Sequence, residues 1–147
     1  MKGKEVIFSS KTVHWKTPID IYDQLNKEFY FTFDPCPLYD KSNNAFFKDW
    51  IGRIYCNPPY DNKAIRLFLE KGLLEIKKGN AEVIVYLLPV KTSKKWFHDL
   101  VWNHSEIRFF NKRLKFDGAK NPAPFDNMLV IFRSKNHINT EMIKNEI

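Results

Sequence analysis

Glycine is scarce in this chain, at five of 147 residues, and none falls between Asp34 and Gly52. No glycine-rich loop therefore follows the first strand that the sequence predicts. Cysteine is scarcer still. Cys36 and Cys56 form no CxxC pair, and no histidine spacing suggests a zinc site. They read as small buried residues in a reducing setting, not as nucleophiles, and no metal is expected. No apolar run approaches the length of a membrane span. The basic start, residues 1–14, lacks the apolar centre of a secretion signal and reads as a loose arm. A cytoplasmic protein is expected. An excess of acid is also missing: the formal net charge is +7. That balance favours an anionic partner, nucleic acid first, through long-range attraction and counterion release.

What remains is an ordinary globular composition, with 28% charged and 44% hydrophobic residues, in a length that suits one domain. Aromatics are frequent at 16%, enough for a packed core, for stacking surfaces, or for both. "KTPIDIYDQLNKEF" reads as a helix, with Thr17 as N-cap, Pro18 in the first position and Asp20 completing a T-x-x-D box. "FYFTFD" alternates Phe29, Phe31 and Phe33 like a strand. "RIYCN" is a short strand stopped by prolines. "DNKAIRLFLEKGLLEIKKG" is a helix whose apolar face holds Ile65, Phe68, Leu69, Leu73 and Ile76. "AEVIVYLLP" suits a strand buried on both faces. "SKKWFHDLVWN" reads as a short helix, and "EIRFF", "RLKF" and "NMLVIFR" as strands. The polar tail, residues 134–147, reads as frayed or weakly helical. Alternating strands and helices indicate an α/β sheet, with ligands off the carboxyl ends of its strands.

Two predicted strand ends carry unusual chemistry: Asp34-Pro35-Cys36-Pro37 and Asn57-Pro58-Pro59-Tyr60. The Asn57 side chain offers a carbonyl acceptor. Proline carbonyls are free acceptors held in fixed directions. Acceptors converging on an exocyclic NH₂ would orient it and leave its lone pair more nucleophilic. Tyr60 could stack on a flat base or face a cationic methyl donor. A plain strand-ending turn with a buried tyrosine is the simpler reading of the same residues.

The chain also resembles the phage-type DNA adenine-N6 methyltransferases, a compact Dam-like family. The resemblance rests on "WKTPIDIYDQLNKEFYFTFDPCP", "KDWIGRIYCNPPY", "YLLPVKTSKKWFHD" and "NKRLKFDGAKNPAPFDNMLVIF" in that order, over roughly residues 15–133. A serial match is far more specific than one tetrapeptide. It implies a Rossmann-like S-adenosylmethionine-dependent methyltransferase fold: α/β, with a mixed, mostly parallel sheet and antiparallel C-terminal strands. It implies a methyl transferred from S-adenosylmethionine to the amino group of adenine in DNA, double-stranded with base flipping or single-stranded. Asn57, Pro58, Pro59 and Tyr60 would be catalytic. Thr17, Pro18, Asp34, Pro35, Cys36, Asp49 and Trp50 would hold the donor. Arg113 and Lys115 would meet nucleic acid or brace the late strands. The run that interleaves aromatics with Arg108, Lys112, Arg113, Lys115 and Lys120 by itself suits phosphate contact with some stacking, and an amphipathic edge hairpin would look the same. The setting would be the cytoplasm of a bacterium or phage-infected cell.

The same tetrapeptide serves RNA-base and protein-glutamine methyltransferases, and a basic module that has lost catalysis is a third reading. With the catalytic core counted, little of the 147 residues remains for a separate target-recognition domain, and none is expected. Recognition would fall to loops, the N-terminal arm or the second subunit of a homodimer.

Overall fold

The computed structural model describes residues 15–37, 44–135 and 139–144. Five strands form one sheet: β1 (Gly52–Cys56), β2 (Ala81–Pro89), β3 (Glu106–Phe110), β4 (Asn127–Arg133) and β5 (Asn139–Ile143), in the spatial order β1-β2-β4-β3-β5. β1 and β2 pair in parallel, and β4 runs antiparallel to both β2 and β3. β5 joins the far edge parallel to β3. The fold is thus mixed α/β around a central sheet, and four strands share one direction while β4 alone opposes them.

Strand alternation places successive side chains on opposite faces. On β2, Val83, Val85 and Leu87 pack with Ile21, Leu25 and Phe29 of helix α1 (Ile19–Phe29). Ile84, Tyr86 and Leu88 pack with Ile65, Phe68 and Leu69 of helix α2 (Asn62–Lys77). A layer of helix therefore covers each face, which is why the β2 sequence is apolar at nearly every position. α2 lies very close to the sheet at Gly72, where an added Cβ would come within 1.8 Å of the Tyr86 hydroxyl. That hydroxyl donates to the Phe68 carbonyl at 2.7 Å.

Several expectations need correcting. Phe29 ends α1 instead of starting a strand. Tyr30 follows in the left-handed region at φ 51°, and Asn26 accepts from Phe31 N–H through its side chain at 2.9 Å. Of the alternating phenylalanines only Phe33 pairs, in an isolated bridge to Ile54. The others build an aromatic cluster with Tyr22 and Tyr55. "RLKF" is loop, although Leu114 and Phe116 are buried. The expected short helix in "SKKWFHDLVWN" is present and differs only in winding, as a π-helical turn over Phe97–Val101. The tail is neither frayed nor helical over residues 139–143, which form β5. The antiparallel character of the C-terminal strands is confined to β4. The expected arm, residues 1–14, lies outside the described residues.

Because β4 is reversed, its first residue Asn127 sits at the same end of the sheet as the last residues of β1, β2 and β3. Pro89 pairs with Asn127 across β2 and β4. This carboxyl rim collects Asn57, residues 90–96 after β2, and the β3–β4 loop over residues 111–126.

Candidate active site

Asn57-Pro58-Pro59-Tyr60 leaves β1 at the carboxyl rim and ends where Asp61 caps α2. Its side chain accepts from Lys63 N–H at 2.9 Å and Ala64 N–H at 3.2 Å. Strand, proline pair and capped helix therefore hold the tetrapeptide from both sides. Pro58 and Pro59 are buried, while Asn57 and Tyr60 are half-buried.

The Asn57 amide is locked in one orientation. Its Nδ2 donates to the Trp15 carbonyl and, at 3.1 Å, to Thr17 Oγ1. Those acceptors decide which way the amide faces, and Oδ1 is left buried with no hydrogen-bond partner. An unpaired buried carbonyl is costly, by about 1–3 kcal/mol. Such a cost at a fixed position marks a place for a donor from outside.

Thr17 does not cap α1. The helix has no side-chain cap at its start, and Thr17 Oγ1 instead lies 2.6 Å from the Tyr55 hydroxyl. Burial and the nearby Asp34 carboxylate raise the Tyr55 phenol, against the opposing bond to Thr17. It therefore stays protonated and serves as a fixed polar prop. Trp15 is positioned in turn by the rings of Phe116 and Phe125, each 5.3 Å away. The Lys16 carbonyl accepts from Asp117 N–H at 3.1 Å. The β3–β4 loop thus clamps the segment that aligns Asn57.

Beside Asn57 opens a cavity of about 190 Å³, lined among others by Thr17, Tyr22, Asp34, Cys36 and Tyr55. Asp34 Oδ1 accepts from Cys36 N–H at 2.8 Å across Pro35, a turn typical of aspartate. Burial pushes the Asp34 carboxyl up to about 6, against the lowering effect of that N–H. A carboxylate held this dry gains by meeting a cation or hydroxyl donors. Cys56 is buried, and burial pushes its thiol well above the ordinary range, so it is no nucleophile.

Tyr60 is fixed by its hydroxyl, which donates to the Leu87 carbonyl at 3.0 Å and accepts from Asn127 Nδ2 at 3.3 Å. Its ring lies edge-on to Phe125, with centroids 5.5 Å apart. Asn127 is fully buried, donates also to the Leu88 carbonyl at 3.1 Å, and has a second unpartnered Oδ1.

The structure brings Thr17, Asp34, Cys36 and Asn57 around one cavity and anchors Pro18, Pro35, Pro58, Pro59 and Tyr60 next to them along the chain. It does not bring Asp49 and Trp50 there. Trp50 is wholly buried in the core, donating its indole N–H to the Ala45 carbonyl at 2.9 Å and its backbone N–H to Glu75 at 2.6 Å. Asp49 points to Lys78 at 3.5 Å. Arg108 is not at the rim either. It makes a two-pronged bond to Glu28 at 2.8 Å and reaches Glu106 at 2.6 Å and Glu141 at 3.0 Å. Lys112, Arg113, Lys115 and Lys120 do lie on the rim loop. Sequence reasoning missed Trp15, Tyr55 and Asn127. Trp15 acts through its backbone, Tyr55 reads as an ordinary strand residue, and Asn127 looks like punctuation before an apolar run.

A family model described as DNA N-6-adenine-methyltransferase (Dam) matches residues 7–145. The chain belongs to that family. It is an adenine-specific DNA methyltransferase, and dependence on S-adenosylmethionine is typical of Dam members. No curated protein and no solved structure matches it significantly. Among the described residues no helix is long and apolar enough to cross a membrane, and no three metal-ligating side chains cluster.

Proposed function

We propose that Asn57 Oδ1 accepts a hydrogen bond from the target adenine's exocyclic amino group, and that the methyl donor lies in the cavity lined by Thr17, Asp34 and Cys36. The observation that carries this is the Asn57 amide: pinned through Nδ2, unpartnered at Oδ1, and beside a cavity. Bound S-adenosylmethionine supplies a methyl group on a cationic sulfur. The residues suit that group. Asp34 offers a desolvated acceptor for hydroxyls or positive charge, and Tyr22 and Tyr55 offer aromatic walls.

The chain's part in the reaction is orientation. Accepting an N–H draws the nitrogen's lone pair out of the ring system and turns it toward the cavity. S-adenosylmethionine held there would supply the methyl carbon to the amino nitrogen, its sulfur departing as a neutral thioether, and the nitrogen would give up its surplus proton afterwards. No side chain must act as base before attack. Tyr60, held by Leu87 and Asn127, presents a fixed ring for the flat base. Adenine inside a duplex reaches Asn57 only when turned out of the stack, at a cost of a few kcal/mol that backbone contacts offset. Lys112, Arg113, Lys115 and Lys120 are positioned to make such contacts from the β3–β4 loop. The chain acts as one catalytic domain, and a second copy could add recognition surface.

Labelled methyl transfer to duplex and single-stranded DNA, followed by nucleoside analysis, tests the reading. N6-methyladenine should form with wild-type protein and vanish with Asn57→Ala, while calorimetry shows donor binding within about twofold. Substantial activity in Asn57→Ala would remove Asn57 from its role, and absence of donor binding in the wild type would remove the cavity from its own.

A further inference from the structure

The ion pairs are distributed unevenly. Among the described residues, Arg53, Arg66, Lys71, Lys78, Arg108 and Arg133 supply cations to ion pairs. The segment 90–96 after β2 contributes none of them. The segment after β2 reads Val90-Lys91-Thr92-Ser93-Lys94-Lys95-Trp96, with three lysines and no acid. Lys94 and Lys95 are exposed and Lys91 is half-exposed. Among the described residues none of the three has an ion-pair partner.

The segment is also held firmly in place. At one end Val90 N–H donates to the Asp126 carbonyl at 2.9 Å, tying it to the β3–β4 loop. At the other end Trp96 is buried, and its indole N–H donates to Asn62 Oδ1 at 3.0 Å. Asn62 is the first residue of α2, five positions after Asn57. Between these anchors Lys94 N–H donates to the Lys91 carbonyl at 3.1 Å, and the Lys94 carbonyl accepts from Phe97 N–H at 3.1 Å. The backbone is therefore a turned bracket fastened to the segment that carries Asn57. Flexible lysines on a fixed bracket suit phosphates, which demand charge at a set place but no bidentate fork.

We propose that residues 91–95 are a phosphate-binding rail, in which Lys91, Lys94 and Lys95 grip the backbone of the target DNA beside Asn57, opposite the basic β3–β4 loop. This rests on the chain's action on DNA and adds the second wall of the groove. Lysines toward the amino rim that have no ion-pair partner among the described residues, such as Lys27, Lys77 and Lys135, serve as the comparison.

The test is titration of a fluorescent adenine-containing duplex at several salt concentrations. The triple variant Lys91→Gln, Lys94→Gln, Lys95→Gln should flatten the slope of log affinity against log salt by about 2 to 3. The triple variant Lys27→Gln, Lys77→Gln, Lys135→Gln removes the same charge at the other rim and should change the slope by less than about 1. Replacing the three rail lysines by arginine should keep the wild-type slope. Saturating DNA should return the glutamine rail variant to wild-type turnover, and donor binding should be unchanged throughout. Equal losses in the two glutamine triples would overturn the rail, leaving only net charge, while methylation of DNA by the wild type kept that reading intact. A wild type that binds this duplex without salt dependence, or prefers RNA of the same sequence, would overturn the rail and the DNA-binding reading together.

Discussion

Toward the amino ends of the strands, Arg53 meets Glu82, and Glu106 sits between Arg108 and Arg133, with Glu28 and Glu141 closing the set. Every one of those side chains is answered from within the fold. At the carboxyl ends, Asn57 and Asn127 each keep an unpaired buried oxygen, Asp34 lines a cavity with its carboxyl pushed up by burial, and Lys91, Lys94 and Lys95 meet no carboxylate among the described residues. One sheet thus has a rim finished for stability and a rim left open for partners. A fold can carry a few unsatisfied groups only if they are compensated elsewhere, and the networked rim is where that compensation lies.

The contrast can be broken from either side, and the largest effect should come from the open rim. Asn57→Ala should lower kcat by about 10²–10³-fold, the size expected when one preorganised hydrogen-bonding group is lost at a reacting centre. Thermal melting should fall only modestly: Oδ1 has no internal partner, and the Nδ2 bonds to Trp15 and Thr17 that go with it are worth about 1–2 kcal/mol. Arg108→Met should do the reverse. It leaves Glu106 half-answered and should cost about 2–3 kcal/mol, seen as a Tm several degrees lower, with kcat unchanged in the fraction still folded. A loss of activity in Arg108→Met without loss of stability would erase the distinction between the rims.

Gly72→Ala tests neither rim but the packing between them. The new methyl must displace the Tyr86 hydroxyl from Phe68, and a loss of about 1–3 kcal/mol in denaturant melts is expected. A smaller effect comes from Asp34. Its carboxyl titrates near 6 in the folded chain and near 3.8 when exposed. Between those values the folded state holds the proton more tightly, so this group favours folding at low pH and loses that contribution as pH rises through 6. A cationic donor needs the ionised form, so donor affinity should fall as pH drops below about 6, by at most about tenfold per unit. Asp34→Asn should flatten both curves, and a donor affinity independent of pH in the wild type would free Asp34 from donor contact. On the finished side, Glu75 behaves oppositely. Its burial raises the carboxyl, but bonds from Trp50 N–H and Lys71 outweigh this and lower it overall. Its stabilisation is present at neutral pH and disappears as acid brings the pH down through the lowered value.

Much of the sheet was legible before any coordinates. β2, β3 and β4 follow their apolar runs residue for residue, and α2 follows its helical period, because burial on both faces leaves an unambiguous pattern. β5 was not legible: its residues are exposed or half-exposed, and an edge strand with so little buried side chain leaves no apolar signature. Phe29 to Phe33 misled because an aromatic cluster and a strand can share the same alternation. At the candidate site, the position of Asn57 at the end of β1 was legible because the two prolines after it stop a strand. Thr17 was misread because its capping pattern is real in sequence while its hydroxyl is used by Tyr55 and Asn57. Trp15 was invisible in principle, since it contributes a carbonyl that every residue owns.

That carbonyl has a consequence for the order of events in folding. Trp15 and Asn57 lie 42 residues apart, so their meeting closes a long loop, and the entropy of such closures grows with length. The ladder between β1 and β2 and the helix between them can form without it. A refolding chain should regain its circular dichroism first and its ability to methylate later, when residues 15–17 come down onto an already finished sheet.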